Sequence, residues 1–346
     1  MARPTLVSLA KELGVSRQTV SNVINAPHLV REETRERVAA AIKASGYQPN
    51  QAAQSLRNQK SRTIAMRIYP TLEEGINGAV MDRFLHCMVD ELRTAGYHLL
   101  LVTADDVDDE LETITAMHLR GRIDGCILTH SHADDPRPAQ LAEAGVEIAC
   151  FGRPWGAEET STHAWVDVDG GAGTLVATRH LLDQGHHRIG FIGWPVGSGA
   201  GDDRRKGWAQ AMRAAGVEGF EQWTTEGIDT MDSGLAGMEQ LLAAGVEAAV
   251  CSSDSLALGA VEALRRSGRL DEGSAPVIGF DDTPVARAMG LPSIDQNVEQ
   301  AARLLCQQLL RRLDGDHNPV PVTERLVTPS LAVRGLRAMV LAGAKT

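Results

Sequence analysis

From Arg62 to about residue 313 the chain alternates short apolar runs with amphipathic stretches of helical length. The predicted strands are Thr63–Ile68, His98–Val102, Gly125–Leu128, Glu147–Phe151, Trp165–Asp167, Arg188–Ile192, Ala248–Cys251 and Val277–Phe280. Helical patterns fall between them at about 79–95, 107–120, 171–184, 202–215, 234–244, 254–267 and 297–313. Short apolar runs alternating with helical stretches in this way are what a parallel α/β sheet requires. The roughly 285 residues involved suffice for two such α/β lobes, with ligand in the crevice at the carboxyl ends of their strands.

Ahead of this body lies a different pattern. Leu6, Leu9, Ala10 and Leu13 fall on one helical face, with Thr5 as N-cap and Gly14 as stop. Val15 plugs the corner and Ser16 caps a second helix, Arg17 to Asn25. Its Val20, Val23 and Ile24 face inward, and Arg17, Gln18, Ser21 and Asn22 face out. A third helix runs from about Arg31 to Ser45, with Glu32 and Glu33 in its first turn, Val38 and Ile42 inward and Gly46 as stop. This is an all-α, three-helix helix-turn-helix head.

Charge separates the same two parts. The net charge of −11 argues against nucleic acid when taken alone, but residues 1–62 hold 10 Lys/Arg against 4 Asp/Glu, and the remainder 24 against 41. A basic head on an acidic body is the electrostatic footprint of a DNA-binding module.

The run Thr5-Leu6-x-x-Leu9-Ala10-x-x-x-Gly14-Val15-Ser16-x-x-Thr19-Val20-Ser21-x-x-Ile24-Asn25, followed by Thr34-Arg35-Glu36-Arg37-Val38 and Gly46-Tyr47-Gln48-Pro49-Asn50, resembles the lac repressor (LacI/GalR) family. The resemblance places the second helix in the major groove, with Arg17, Gln18 and Asn22 reading bases and Ser16, Thr19 and Ser21 touching phosphates. Thr5 and Asn25 join this DNA-binding set. Arginine suits guanine, and glutamine and asparagine suit adenine. The family often has arginine where this chain has Asn22, which bears on the operator sequence and not on the mode of binding.

Residues 49–61 follow the 1–48 head. Pro49 to Arg57 is too brief to be helical alone in water. The resemblance makes it a hinge helix that orders on operator DNA beside its dimer mate. Leu56 is then the minor-groove wedge, Ala53 allows close helix approach and Asn50 counts among the DNA contacts.

Further landmarks of the resemblance extend through residues 62–346: Arg122-Ile123-Asp124-Gly125, Arg204-x-x-Gly207-Trp208, Asp254-x-x-Ala257-x-Gly259, Gly279-Phe280-Asp281-Asp282 and Pro329-Ser330-Leu331. They imply a two-lobed sensor of the periplasmic-binding-protein type I architecture. By motif position Arg204 and Asp281 bind ligand hydroxyls, with Ser253 a shorter replacement for the family's usual asparagine. Arg153 and Trp194 stand at strand carboxyl ends, where a cleft is lined. Asp282 reads as a turn residue or helix cap.

The resemblance implies a DNA-binding repressor controlled by a sugar or glycoside, and leaves a nucleobase corepressor open. A homodimer on a palindromic operator is expected, since no leucine heptads close the chain. His130-Ser131-His132 has no partner set for zinc, and the acidic run Asp105 to Glu110 reads as a solvated helix start. Five scattered cysteines suit buried thiols. No cofactor or metal is expected, and no phosphate loop, nucleophile elbow or zinc signature points to an enzyme. Without a signal-type leader or an apolar run of membrane-spanning length, the expected location is cytoplasmic and away from membranes.

Overall fold

The computed structural model describes residues 4–47, 60–69, 78–270 and 276–336. It divides into two units, Met1–Ser61 and Arg62–Thr346.

In the first unit α1 (Leu6–Leu13), α2 (Arg17–Asn25) and α3 (Glu32–Ser45) close on a buried core of Leu9, Ala10, Val20 and Val38. Thr5 caps α1 through a reciprocal pair of bonds with Ser8, and the Ser16 hydroxyl accepts from Thr19 N at 3.0 Å to start α2. Gly14 (φ 65°) and Gly46 (φ 64°) stop α1 and α3 in the left-handed conformation open to glycine.

The second unit holds two six-stranded sheets. Its strands are β1 (Thr63–Arg67), β2 (His98–Val102), β3 (Gly125–Leu128), β4 (Glu147–Phe151), β5 (Ala164–Val168), β6 (Ile189–Gly193), β7 (Thr224–Glu226), β8 (Ala248–Cys251), β9 (Val277–Phe280), β10 (Ser293–Asp295), β11 (Leu326–Val327) and β12 (Ser330–Ala332). The first lobe has the order β11-β5-β4-β3-β1-β2 and the second β12-β10-β9-β8-β6-β7. All neighbouring pairs are parallel except β10–β12. The chain crosses between lobes three times: after β5, after β10, and between β11 and β12. Among the described residues no helix is long and apolar enough to cross a membrane.

The eight expected strands are present to within a residue or two, as are the seven expected helices, apart from a start three residues earlier at Met231. Unread in the sequence are β7, β10, β11 and β12, each of two or three residues, and the helices Arg137–Glu143, Pro284–Met289 and Val322–Arg325. Segments this short carry too little periodicity to be legible.

The helices Gly170–Asp183 and Ala200–Ala214 approach closely at Gly207, where a Cβ would lie 1.9 Å from the Gly171 carbonyl oxygen and 2.4 Å from Thr174 Oγ1. Thr174 Oγ1 also donates to the Arg204 carbonyl at 2.6 Å. Because the obstructing atom is backbone, Gly207→Ala has to push the helices apart, at about 1–3 kcal/mol. The expected outcome is a lower denaturation midpoint together with weakened binding by the side chains of the 200–214 helix; unchanged stability would contradict the packing described.

Candidate functional site

A cleft of about 480 Å³ opens between the two lobes. The carboxyl ends of β1, β3, β4 and β5 bring Tyr69, His130, Phe151 and Asp167 to one wall. Those of β6, β7, β9 and β10 bring Trp194, Asp229, Asp281 and Gln296 to the other, where the Ala200–Ala214 helix adds Asp203 and Arg204.

Arg204 is 6% exposed. Its guanidinium carbon stands 3.6 Å from the centre of the Phe280 ring and 4.9 Å from that of Trp194, and Nη1 donates to the Ser252 carbonyl. The ring faces stabilise the cation, but Arg204 Nε and Trp194 Nε1 are buried with no acceptor among the described residues. Burial lowers the Arg204 pKa, opposed first by the charge of Asp281.

Asp281 has φ 111°, a backbone state that costs a non-glycine residue about 1–3 kcal/mol. Its N–H holds the Ile294 carbonyl at 2.8 Å, and its Oδ1 accepts from Gln296 Nε2. Burial raises its carboxyl well above the usual carboxylate range, with Arg204 pulling the other way. Burial likewise raises Asp167, against the neighbouring Arg153.

Two expected ligand residues stand behind the wall. Arg153 pairs with Asp167 at 2.6 Å and with Asp203 at 3.3 Å, so it orients two lining carboxylates and spans both lobes without itself facing the cleft. Ser253 is fully buried as the N-cap of the Asp254–Arg266 helix, accepting from Leu256 N at 3.2 Å and donating to Asp229 Oδ1. The lining group there is Asp229. Arg204, Asp281 and Trp194 do come together in the cleft. Of the two readings for Asp282 the cap does not hold, since Thr283 caps the following helix; Asp282 sits outside the helix at φ 48° and pairs with Arg287 and Arg334.

Sequence reasoning missed Asp167, Asp203, Asp229 and Gln296. Asp167 closes a predicted strand and Asp203 precedes Arg204, signals that were available; Asp229 and Gln296 follow the three-residue strands β7 and β10, which left none. Beneath the first wall, Arg137 is 1% exposed and ties Tyr69 Oη (2.7 Å), Glu110 (3.2 Å), Asp135 (2.7 Å) and the Thr129 and His130 carbonyls into one network. His130 lines the cleft. Burial, then the charge of Arg137, depresses its pKa.

On the head, Arg17 and Gln18 are exposed at the start of α2, and Gln18 Nε2 donates to Asn22 Oδ1 at 2.8 Å. Ser16 and Thr19 share a hydroxyl bond of 2.8 Å, and the half-buried Ser21 lies one turn above Gln18. Thr5 is occupied as a cap, and Asn25 ends α2. Asn50, Ala53 and Leu56, with the hinge helix, lie outside the described residues.

A helix-turn-helix head joined to a two-lobed parallel α/β cleft is the combination that the comparisons match. The model for bacterial regulatory proteins of the lacI family matches residues 5–50, and that for a periplasmic binding protein-like domain matches residues 178–335. The HTH-type transcriptional regulator CelR of Thermobifida fusca is 35% identical over 330 residues, 91% of this chain and 93% of that one. The chain belongs to the lacI family of bacterial regulatory proteins. This lacI-family regulator is also 30% identical to the HTH-type transcriptional repressor PurR of Mannheimia succiniciproducens, over 93% of its own length and 97% of the relative's. Its structure matches that of a transcriptional regulator CelR–cellobiose complex with a TM-score of 0.70 and 33% identity, covering 97% of this chain and all of the other. It is therefore a DNA-binding transcriptional regulator with a periplasmic-binding-protein-like sensor.

The buried acids of the sensor carry a pH signature. Asp254, fully buried, accepts from Ser293 Oγ at 2.6 Å and Thr283 N at 2.7 Å, and burial raises its pKa to about 6. A carboxyl raised on folding supports the fold below its unfolded pKa and loses that contribution as pH climbs through the folded value. Between pH 4 and pH 6 the wild type should lose on the order of 2 kcal/mol relative to Asp254→Asn. Parallel urea titrations of both proteins across that window check this; a constant difference would show that Asp254 does not titrate there.

Proposed function

We propose that this regulator is a repressor that binds palindromic operator DNA as a homodimer and is released by a neutral sugar or glycoside in the cleft. The observation that carries the reading is the lining itself: four aspartates, one glutamine and two arginines converge on a cleft that Trp194, Phe151 and Tyr69 also line. Planar groups of this kind pair with vicinal hydroxyls, and aromatic faces cover the apolar side of a sugar ring. Carboxylates outnumber cations on this surface, which disfavours phosphorylated sugars, and the volume of about 480 Å³ falls in the range used for ligands of disaccharide size. The relative solved with cellobiose supports the same class.

Base reading is assigned to Arg17, Gln18 and Asn22, phosphate contacts to Ser16, Thr19 and Ser21, and the minor-groove wedge to Leu56. Ligand contacts are assigned to Arg204, Asp281 and Trp194, with Arg153 and Ser253 as positioning residues. Closure of the lobes on ligand changes the spacing of the two heads, coupling the sites by about 1–3 kcal/mol. No step in this reading involves catalysis.

Calorimetric titration with cellobiose, other disaccharides, glucose and purine bases, repeated with promoter DNA present, tests the proposal. One sugar should bind saturably and more weakly to the DNA complex; binding of a purine that strengthens with DNA would replace the inducer reading by a corepressor. Arg204→Ala should weaken the sugar by about 1.5–3 kcal/mol and spare DNA affinity in its absence, whereas Arg17→Ala should do the reverse.

A further inference from the structure

Arg325 ends the short Val322–Arg325 helix and is 8% exposed. Neither its Nε nor its Nη1 has a hydrogen-bond partner, and it forms no ion pair, among the described residues. The Trp165 ring lies 5.1 Å from its guanidinium carbon and offers a face for the cation but no lone pair for the N–H groups. An arginine withdrawn from water with unmatched donors is costly, and such groups are retained where something else supplies the acceptors.

Arg325 lines a cavity of about 380 Å³ that lies outside the cleft, bounded by the start of β5, the end of the Val298–Leu313 helix and the loop after it. The charged and titratable groups lining it are Arg311, Arg312, Arg325, His163, His317 and Asp316. Asp316 is matched to Arg311 at 2.6 Å, and Arg312 to Glu147 at 2.9 Å, while His317 stands 3.8 Å from the same Glu147. The one other carboxylate whose charge Arg325 feels, Glu159, is exposed and forms no ion pair with it. Once these pairs are set aside, one buried positive charge is left over among the described residues. Burial, then Arg312, holds the His163 imidazole down to about 4, so it adds a neutral ring to the wall.

We propose that this cavity is a second ligand site of the regulator, for a small oxyanion of the phosphate class. A tetrahedral oxyanion presents acceptors in several directions at once, which suits N–H groups pointing different ways from one guanidinium. A cation would meet uncompensated positive charge there, and a neutral apolar ligand would leave the donors unmatched.

The test is calorimetry on the full chain in phosphate-free chloride buffer, with inorganic phosphate, glycerol 3-phosphate and, as neutral control, glycerol. Saturable binding of phosphate or its ester at about 1 mM or below, and none of glycerol, is expected. Equal affinity for the two identifies the free ion as sufficient, whereas an ester about tenfold tighter shows that the cavity also reads the organic part. Arg325→Gln should weaken binding at least about tenfold while leaving cellobiose titrations unchanged. Arg311→Gln, at an exposed position whose loss also frees the Asp316 carboxylate toward the cavity, should weaken it about threefold and covers the case in which the first variant fails to fold. No saturable binding by about 10 mM, or undiminished binding in both variants, overturns the proposal; the second result would place the anion elsewhere, as on the basic head.

Discussion

Parallel pairing is the constraint on which the sensor depends. Strands that all run one way have all their carboxyl ends on one side, and the side chains that leave those ends are grouped there whatever their separation in sequence. Three crossings between the lobes apply this twice. Asp167, at the end of β5, and Asp281, just beyond β9, are 114 residues apart, yet line one cleft. The close approach at Gly207 then sets the helix bearing Asp203 and Arg204 against the Gly170–Asp183 helix, which begins directly after the first crossing.

Buried arginines show how the structure handles charge away from water. Arg137 is matched by carboxylates, a tyrosine hydroxyl and two carbonyls, and it stiffens one wall of the cleft. Arg153 is matched by Asp167 and Asp203, one on each side of the crevice, so its ion pairs bear on how the lobes meet. Arg204 rests between aromatic rings with its Nε unmatched, and Arg325 rests on one ring with two nitrogens unmatched. The first two solutions are structural, since every strong acceptor is internal. The last two leave donors with no acceptor among the described residues.

Much of this was legible because it follows local rules. The helix-turn-helix head is written in caps, glycine stops and a 3.6-residue apolar period, and its buried residues Leu9, Ala10, Val20 and Val38 are those the period selects. The long strands of the sensor are legible for the same reason, whereas β7 and β10 are too short to show a period, and Asp229 and Gln296 were hidden with them. Arg153 and Ser253 mark a different limit. Arg153 follows a strand carboxyl end and Ser253 holds its motif position, as the sequence suggested, but one side chain turns to its carboxylate partners and the other to its own helix terminus.

The sequence by itself determined the order of elements, the helical head, the parallel α/β class of the sensor and the membership in a family of DNA-binding regulators. These rest on periodicity and on spacings within a few residues, where the chain's own geometry decides what lies on which face. Which carboxylates face the cleft, and which arginines keep unmatched donors among the described residues, inside it or away from it, only the tertiary structure decided. Such facts depend on distances between residues tens to hundreds of positions apart, and a buried charge differs from a solvated one only once the surrounding elements have packed.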